Sequence, residues 1–273
     1  MSYNKTKFKS NPYNKNNFLI TNEQVINIMN KLNINDDTIN DFTIKDIKLY
    51  QKAFIHKSYC HMKDYEEYEN THNYLKLQTE SYETMEFLGD SILGYIVSEY
   101  IYKRYTLIYG QDEGFLTRMK NRLVNGETLA YLADKLDFNK HLIISSHIDD
   151  NHSGRNNKNI LEDSFEAFIG ALFLDSNDIN LVKTFLITIY EKYIDFQNII
   201  VNNTNYKDQL LRYFQNNFKE YPKYNVEEII TNTSFKCLVL KGEEVISEGY
   251  GETKKKSEQD ASKNALCKYG VLN

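Results

Sequence analysis

The chain has 273 residues, 41% of them hydrophobic and 26% charged, with a net charge of −5. That length and balance fit one large or two ordinary globular domains with proper cores. No apolar run approaches the ~18 residues of a membrane span and no secretory signal is readable at the start; Cys60, Cys237 and Cys267 are odd in number and lack metal-ligand spacing, so the expectation is a cytoplasmic protein with reduced thiols.

Residues 1–17 are polar, carrying Lys5, Lys7, Lys9 and Lys15 and no acid, the composition of a mobile basic tail. Val25, Ile28, Met29 and Leu32 space as an amphipathic helix, with Thr21 and Asn22 as N-cap candidates. Ile47, Tyr50, Ala53 and Phe54 predict a second helix. Residues 61–80 have no firm period and read as a loop or inserted helix. A helix follows from 83 to about 105, then a helical stretch from 113 to about 136, interrupted at Asn125-Gly126. Residues 145–159 are rich in Ser, His, Asn and Gly and read as an exposed loop. Two further helices, around Asp163 and from about 181 to 196, complete this part. Beyond Asn202 the pattern changes to a helix (206–218), three β-rich runs (224–230, 235–240, 245–250) and a final helix (253–269), a separate small α-β-β-β-α unit. Charge is near balance in that unit, so nucleic-acid binding would depend on local patches.

Residues 83–90, Glu-Thr-Met-Glu-Phe-Leu-Gly-Asp, are the most informative segment. At about 100° per residue, Glu83, Glu86 and Asp90 fall within about 60° of one another. Met85, Leu88, Ile92 and Ile96 form the opposite face, and Phe87, Leu93 and Val97 flank the acids. A helix apolar nearly all round is expected to be buried. Buried carboxylates are stable only with protonation, basic partners or a bound cation. No Lys or Arg lies between Glu83 and Lys103, so no local basic partner is expected. Asp163 and Glu166 repeat the arrangement at i, i+3 in Leu161-Glu-Asp-Ser-Phe-Glu-Ala-Phe. Two such helices facing one another would make an all-oxygen site of the kind hard cations prefer, such as Mg²⁺, with Mn²⁺ as substitute.

These segments resemble the motifs of the ribonuclease III family. Glu83 to Leu93 is similar to its signature, Phe54-Ile-His-Lys-Ser-Tyr59 to an upstream element, Glu113-Gly-Phe-Leu-Thr-Arg118 to the following segment, and the stretch from Asn159 to Gly170 to its second acidic motif. The end, with Gly251-Glu-Thr-Lys-Lys-Lys256, resembles a double-stranded-RNA-binding domain. Beside the basic tail that composition suggests (1–20), the resemblance implies an all-α endonuclease domain (21–200, with an insertion at 61–80) and a small α+β RNA-binding domain (204–271). It implies a metal-dependent homodimeric endoribonuclease that cuts double-stranded RNA to 5′-phosphate and 3′-hydroxyl ends. Glu86, Asp90, Asp163 and Glu166 would be the metal carboxylates, with Asp90 and Glu166 foremost in catalysis. Glu83 and Glu113 would line the catalytic valley, and Phe87 would enter the partner subunit. Lys254, Lys255 and Lys256, placed where a helix dipole disfavours cations, would clamp phosphates.

Three departures stand out. The stretch between His56 and Glu83 is longer than usual. Leu211 and Arg212 replace a Gln and Glu that commonly touch the minor groove. The loop 230–234 lacks the usual Gly-Pro-x-His-like element. The six histidines share no metal spacing, and His56 reads as a structural hydrogen-bonding residue. The rival reading is a protein that binds duplex RNA without cutting it, and four retained, mutually repelling acids argue for the enzyme.

Overall fold

The computed structural model describes residues 11–32, 42–151, 154–201, 205–230 and 233–272. Helix α1 (Asn22–Asn30) opens with a capping box: the Thr21 hydroxyl accepts from Gln24 N, and Gln24 Oε1 accepts from Thr21 N at 2.9 Å. Then come α2 (Ile47–Ala53) and α3 (Glu83–Ile101), which continues into a π-helical turn (Tyr102–Thr106) and a single turn at Leu107–Tyr109. The stretch beginning at Glu113 divides into α4 (Glu113–Leu123) and α5 (Gly126–Lys135), because Asn125 leaves the helix and caps α5 by accepting from Thr128 N at 2.9 Å. Helices α6 (Ser146–Asn151), α7 (Lys158–Ser176), α8 (Ile179–Tyr193) and α9 (Phe196–Val201) follow.

The chain divides into two compact units, the first ending at Phe196. Helix α7 is the axis of that unit. It packs against α2, α3 and α5, and Leu161, Phe165, Ala167, Phe168, Ile169, Ala171 and Leu172 are buried along it. An aromatic cluster of Tyr50, Phe54, Phe138, Phe165, Phe168 and Phe185 fills the space around it with rings 5.0–6.2 Å apart. The second unit contains α10 (Tyr206–Phe218), β1 (Lys223–Ile230), β2 (Ser234–Lys241), β3 (Glu244–Gly251) and α11 (Lys254–Lys268). Its strands form an antiparallel meander, β1-β2-β3. Leu210, Phe214, Cys237, Val239, Ile246, Ala261, Ala265 and Leu266 make a separate core.

Residues 145–159, expected as an exposed loop, instead hold α6 and a 3₁₀ turn (Gly154–Asn156), with Ser145 buried; two further expectations are corrected. Residues 11–20 are not part of a free tail: Asn14 and Asn17 are 4% and 8% exposed, and both amides donate to the Ile144 carbonyl, at 3.1 and 2.8 Å. Polar composition there serves buried backbone acceptors rather than solvent. Residues 1–10 lie outside the described residues, as do 231–232 of the β1–β2 loop. The second correction is α3, which is not buried all round. Phe87 is 78% exposed, and Tyr95 and Tyr102 continue the exposed side. The insertion 61–80 is irregular, with one 3₁₀ turn at Lys63–Tyr65. Tyr59 and Leu77 bury in a small local core, and Tyr59 Oη donates to Leu75 O at 2.6 Å.

Candidate active site

The acidic residues meet where α3 crosses α7, and two glycines permit the crossing. A Cβ on Gly89 would overlap the Glu166 carbonyl, standing 2.6 Å from its carbon and 3.1 Å from Gly170 N. A Cβ on Gly170 would stand 2.5 Å from Met85 O. The two backbones are thus in direct contact, and Glu86 and Asp90 on α3 act electrostatically on Glu166 of α7.

Glu166 is the innermost, 9% exposed. Among the described residues no group donates a hydrogen bond to it. Burial, followed by the charges of Asp90, Glu162, Glu86 and Asp163, pushes its carboxyl from 4.5 up to about 8. Glu86 is half-buried and shifted upward by burial and by Asp163 and Glu83. Asp163 is raised by burial, against the pull of a hydrogen bond in which Tyr82 Oη donates to Asp163 Oδ2 at 2.9 Å. Asp90 and Glu83 are exposed. Carboxylates from the two helices therefore act electrostatically across the crossing.

Three residues were missed. Glu162 belongs to the cluster, raised by burial, Asp163 and Asp90; its i, i+4 spacing to Glu166 was the available signal. Tyr82 orients Asp163 from the residue just before α3. Lys57 corrects the expectation of no basic partner: its Nζ lies 3.0 Å from Glu83 Oε1 and holds that carboxyl below its ordinary range. Contact across 26 residues is invisible to helical spacing.

Among the described residues, no three of these groups close into a ready-made ion cage. The donor set is carboxylate oxygen throughout, which fits a hard divalent cation and not zinc. Glu113 stands apart, at the first turn of α4, where Thr117 Oγ1 donates to it at 2.7 Å. His56 is structural: its Nδ1 accepts from Ser58 N at 3.1 Å, and burial keeps the ring neutral by lowering its pKa to about 4.

In the second unit, Lys254, Lys255 and Lys256 are exposed in the first turn of α11, capped by Thr253 accepting from Lys256 N at 3.2 Å. Lys256 also pairs with Glu252 at 2.6 Å. Arg212, one of the departures on α10, is tied to Asp208 at 3.1 Å.

Residues 46–192 match the model of the Ribonuclease-III-like family, and residues 206–269 match that of the double-stranded RNA binding motif. The chain belongs to the ribonuclease III family. It is 33% identical over 262 residues to a probable ribonuclease 3 of Acanthamoeba polyphaga mimivirus, covering 94% of this chain and 47% of that protein; the chain thus spans about half of that relative's length. It is 37% identical over 191 residues to ribonuclease 3 of Acinetobacter baylyi, covering 68% of this chain and 80% of that one. The solved nuclease domain of Campylobacter jejuni ribonuclease III aligns over 61% of this chain and 96% of that one, at 26% identity and a TM-score of 0.46.

Proposed function

We propose that this ribonuclease III family member is a homodimeric, Mg²⁺-dependent endoribonuclease that hydrolyses phosphodiesters of double-stranded RNA to 5′-phosphate and 3′-hydroxyl ends. One observation carries the reading: Glu166 is buried, receives no hydrogen bond among the described residues, and faces the negative charge of Asp90, Glu162, Glu86 and Asp163. Such an arrangement costs stability unless the carboxyl is protonated or a cation binds there. A protein that only bound an anionic duplex would gain nothing by keeping it.

Glu86, Asp90, Asp163 and Glu166 would hold the ion, with Tyr82 fixing the orientation of Asp163. When bound, a divalent cation makes water more acidic and neutralises charge on the attacking and leaving oxygens. The chain's own contribution is rigidity, through the glycine-mediated contact of α3 and α7. Glu83 and Glu113 would line the valley. Phe87 would insert into a second copy, since a 78% exposed Phe on a helix with Tyr95 and Tyr102 also exposed is an interface feature. Lys254, Lys255 and Lys256 would bind phosphates across the major groove. We place the protein in the cytoplasm.

The test is cleavage of a duplex of about 30 base pairs, longer than the ~16 that one double-stranded-RNA-binding domain spans, in Mg²⁺, Ca²⁺ and EDTA. Mg²⁺-dependent cutting that Glu166→Gln abolishes is expected. Tight duplex binding without cutting in any divalent metal would replace the enzyme with an RNA-binding protein.

A further inference from the structure

We propose that Lys57 contacts an RNA phosphate beside the scissile bond, acting as the exchangeable counter-cation of the acidic site; the inference rests on the endonuclease reading above. In the free protein its ammonium is held on Glu83, 3.0 Å away, and in the duplex complex it would pass to the phosphate.

The first support is position. Lys57 pairs with the carboxylate at the start of α3, and its charge also acts on Glu86 and Asp163. Its charge therefore reaches carboxylates of both helices from the Glu83 edge. Those acids repel an incoming phosphate, and a cation at their edge offsets that repulsion where the strand must approach.

The second support is that the pair does little for folding. Its side chains are 63% and 52% exposed, and ion pairs so open to water contribute little stability. An exposed ammonium with three donors exchanges partners readily.

The third is that its root is rigid while its tip is free. Lys57 opens a 3₁₀ turn (Lys57–Tyr59) fixed from three sides. His56 N donates to Ile143 O at 3.0 Å, Ser145 N donates to Ser58 Oγ at 3.0 Å, and Tyr82 N donates to Ile55 O at 2.9 Å. The last bond ties this turn to Tyr82, which orients Asp163. The lysine is thus built into the frame of the site, while its ammonium reaches solvent. Glu83 also accepts from Ser81 Oγ at 3.1 Å, so it keeps a partner when the lysine leaves.

The proposal makes an opposite-sign prediction, because Lys57 attracts phosphate and repels a metal cation. The experiment uses the full chain as wild type, Lys57→Met and Lys57→Arg. Duplex affinity is measured in Ca²⁺, Mn²⁺ affinity is measured without RNA by electron paramagnetic resonance, and thermal stability is recorded for each. Lys57→Met should weaken duplex binding about tenfold, the scale of one charge-assisted contact, while tightening Mn²⁺ binding and leaving Tm unchanged. Lys57→Arg should bind the duplex like wild type. Unchanged duplex affinity in Lys57→Met would overturn the proposal. So would a joint loss of duplex affinity, Mn²⁺ affinity and Tm, the signature of a structural residue. Neither binding measurement requires cutting. A wild-type protein that fails to cleave in Mg²⁺ therefore refutes the endonuclease reading by itself, while the two affinities still decide whether Lys57 touches phosphate.

Discussion

The crossing of α3 and α7 makes a prediction whose sign reverses within one helix. Gly89→Ala places a methyl group onto the Glu166 carbonyl, 2.6 Å from its carbon, with Gly170 N at 3.1 Å. All three obstacles are backbone, so no side chain can swing aside, and the helices must separate by about an ångström. Overpacking of this kind costs about 1–3 kcal/mol and sometimes more. Gly94 lies further along the same helix, and a Cβ there would meet only Lys120 Nζ and Cε, at 3.7 and 3.9 Å, which is ordinary contact with a flexible chain end. Gly94→Ala should therefore return the helix-propensity gain of about 0.5–1 kcal/mol. At about 2–4 °C per kcal/mol for a unit of this size, calorimetry of the full chain should show the endonuclease transition lower by several degrees in Gly89→Ala and slightly higher in Gly94→Ala. Because the separation also pulls Glu166 away from Asp90 and Glu86, Gly89→Ala should lose Mg²⁺-dependent stabilisation as well. Equal melting temperatures for the two variants, with cleavage intact in both, would refute the backbone contact and the account of how the acids are brought together.

The buried Glu166 sets a pH dependence. In the folded protein it stays protonated up to about pH 8, whereas it ionises near 4.5 when unfolded, so metal-free stability should fall as pH rises through that window and Glu166→Gln should flatten the decline; parallel melting profiles for the two proteins in EDTA would refute this. Phe87→Asp should shift the protein to a monomer in size-exclusion chromatography, since an aromatic anchor at an interface contributes about 2 kcal/mol or more; an unaltered elution volume would remove Phe87 from the interface. Lys254→Ala with Lys255→Ala should weaken duplex binding and reduce the slope of log K against log salt by about 2, one for each phosphate no longer neutralised; an unchanged slope would place the phosphate-binding cations elsewhere.

What the sequence made legible was whatever depends on short spacing. Glu83, Glu86 and Asp90 share a stripe because the helix repeats every 3.6 residues, and Asp163 and Glu166 share another for the same reason. Asn125 splits α4 from α5 by its own capping bond. The α-β-β-β-α order of the second unit follows from its change of hydrophobic period. Contacts between distant segments were not legible. Lys57 pairs with Glu83 only after the 61–80 insertion has looped back, with residues 60 and 78 bridged. Gly89 and Gly170 carry no periodic signal, since their role is the absence of a side chain. The exposure of Phe87 was not legible from periodicity, because an apolar residue on an apolar helix looks internal, whereas its role against a partner came only from the family resemblance.

Asp175 shows why acid burial alone does not identify a site. It lies on α7 with Glu166 and is more buried, at 5% exposure against 9%. Yet Asp175 accepts from Asp46 N at 2.7 Å, Lys45 N at 3.0 Å and Tyr50 Oη at 3.1 Å. Those donors replace water, and the carboxylate there pins the start of α2 to the end of α7. Among the described residues Glu166 has no such donors, and the charges that act on it, those of Asp90, Glu162, Glu86 and Asp163, are all negative. The first carboxylate is satisfied by the fold, so its loss should cost stability. The second is opposed by the fold, so its loss should stabilise the metal-free protein while ending metal binding. On one helix, the acid that the fold leaves unsatisfied is the one that a cation must complete.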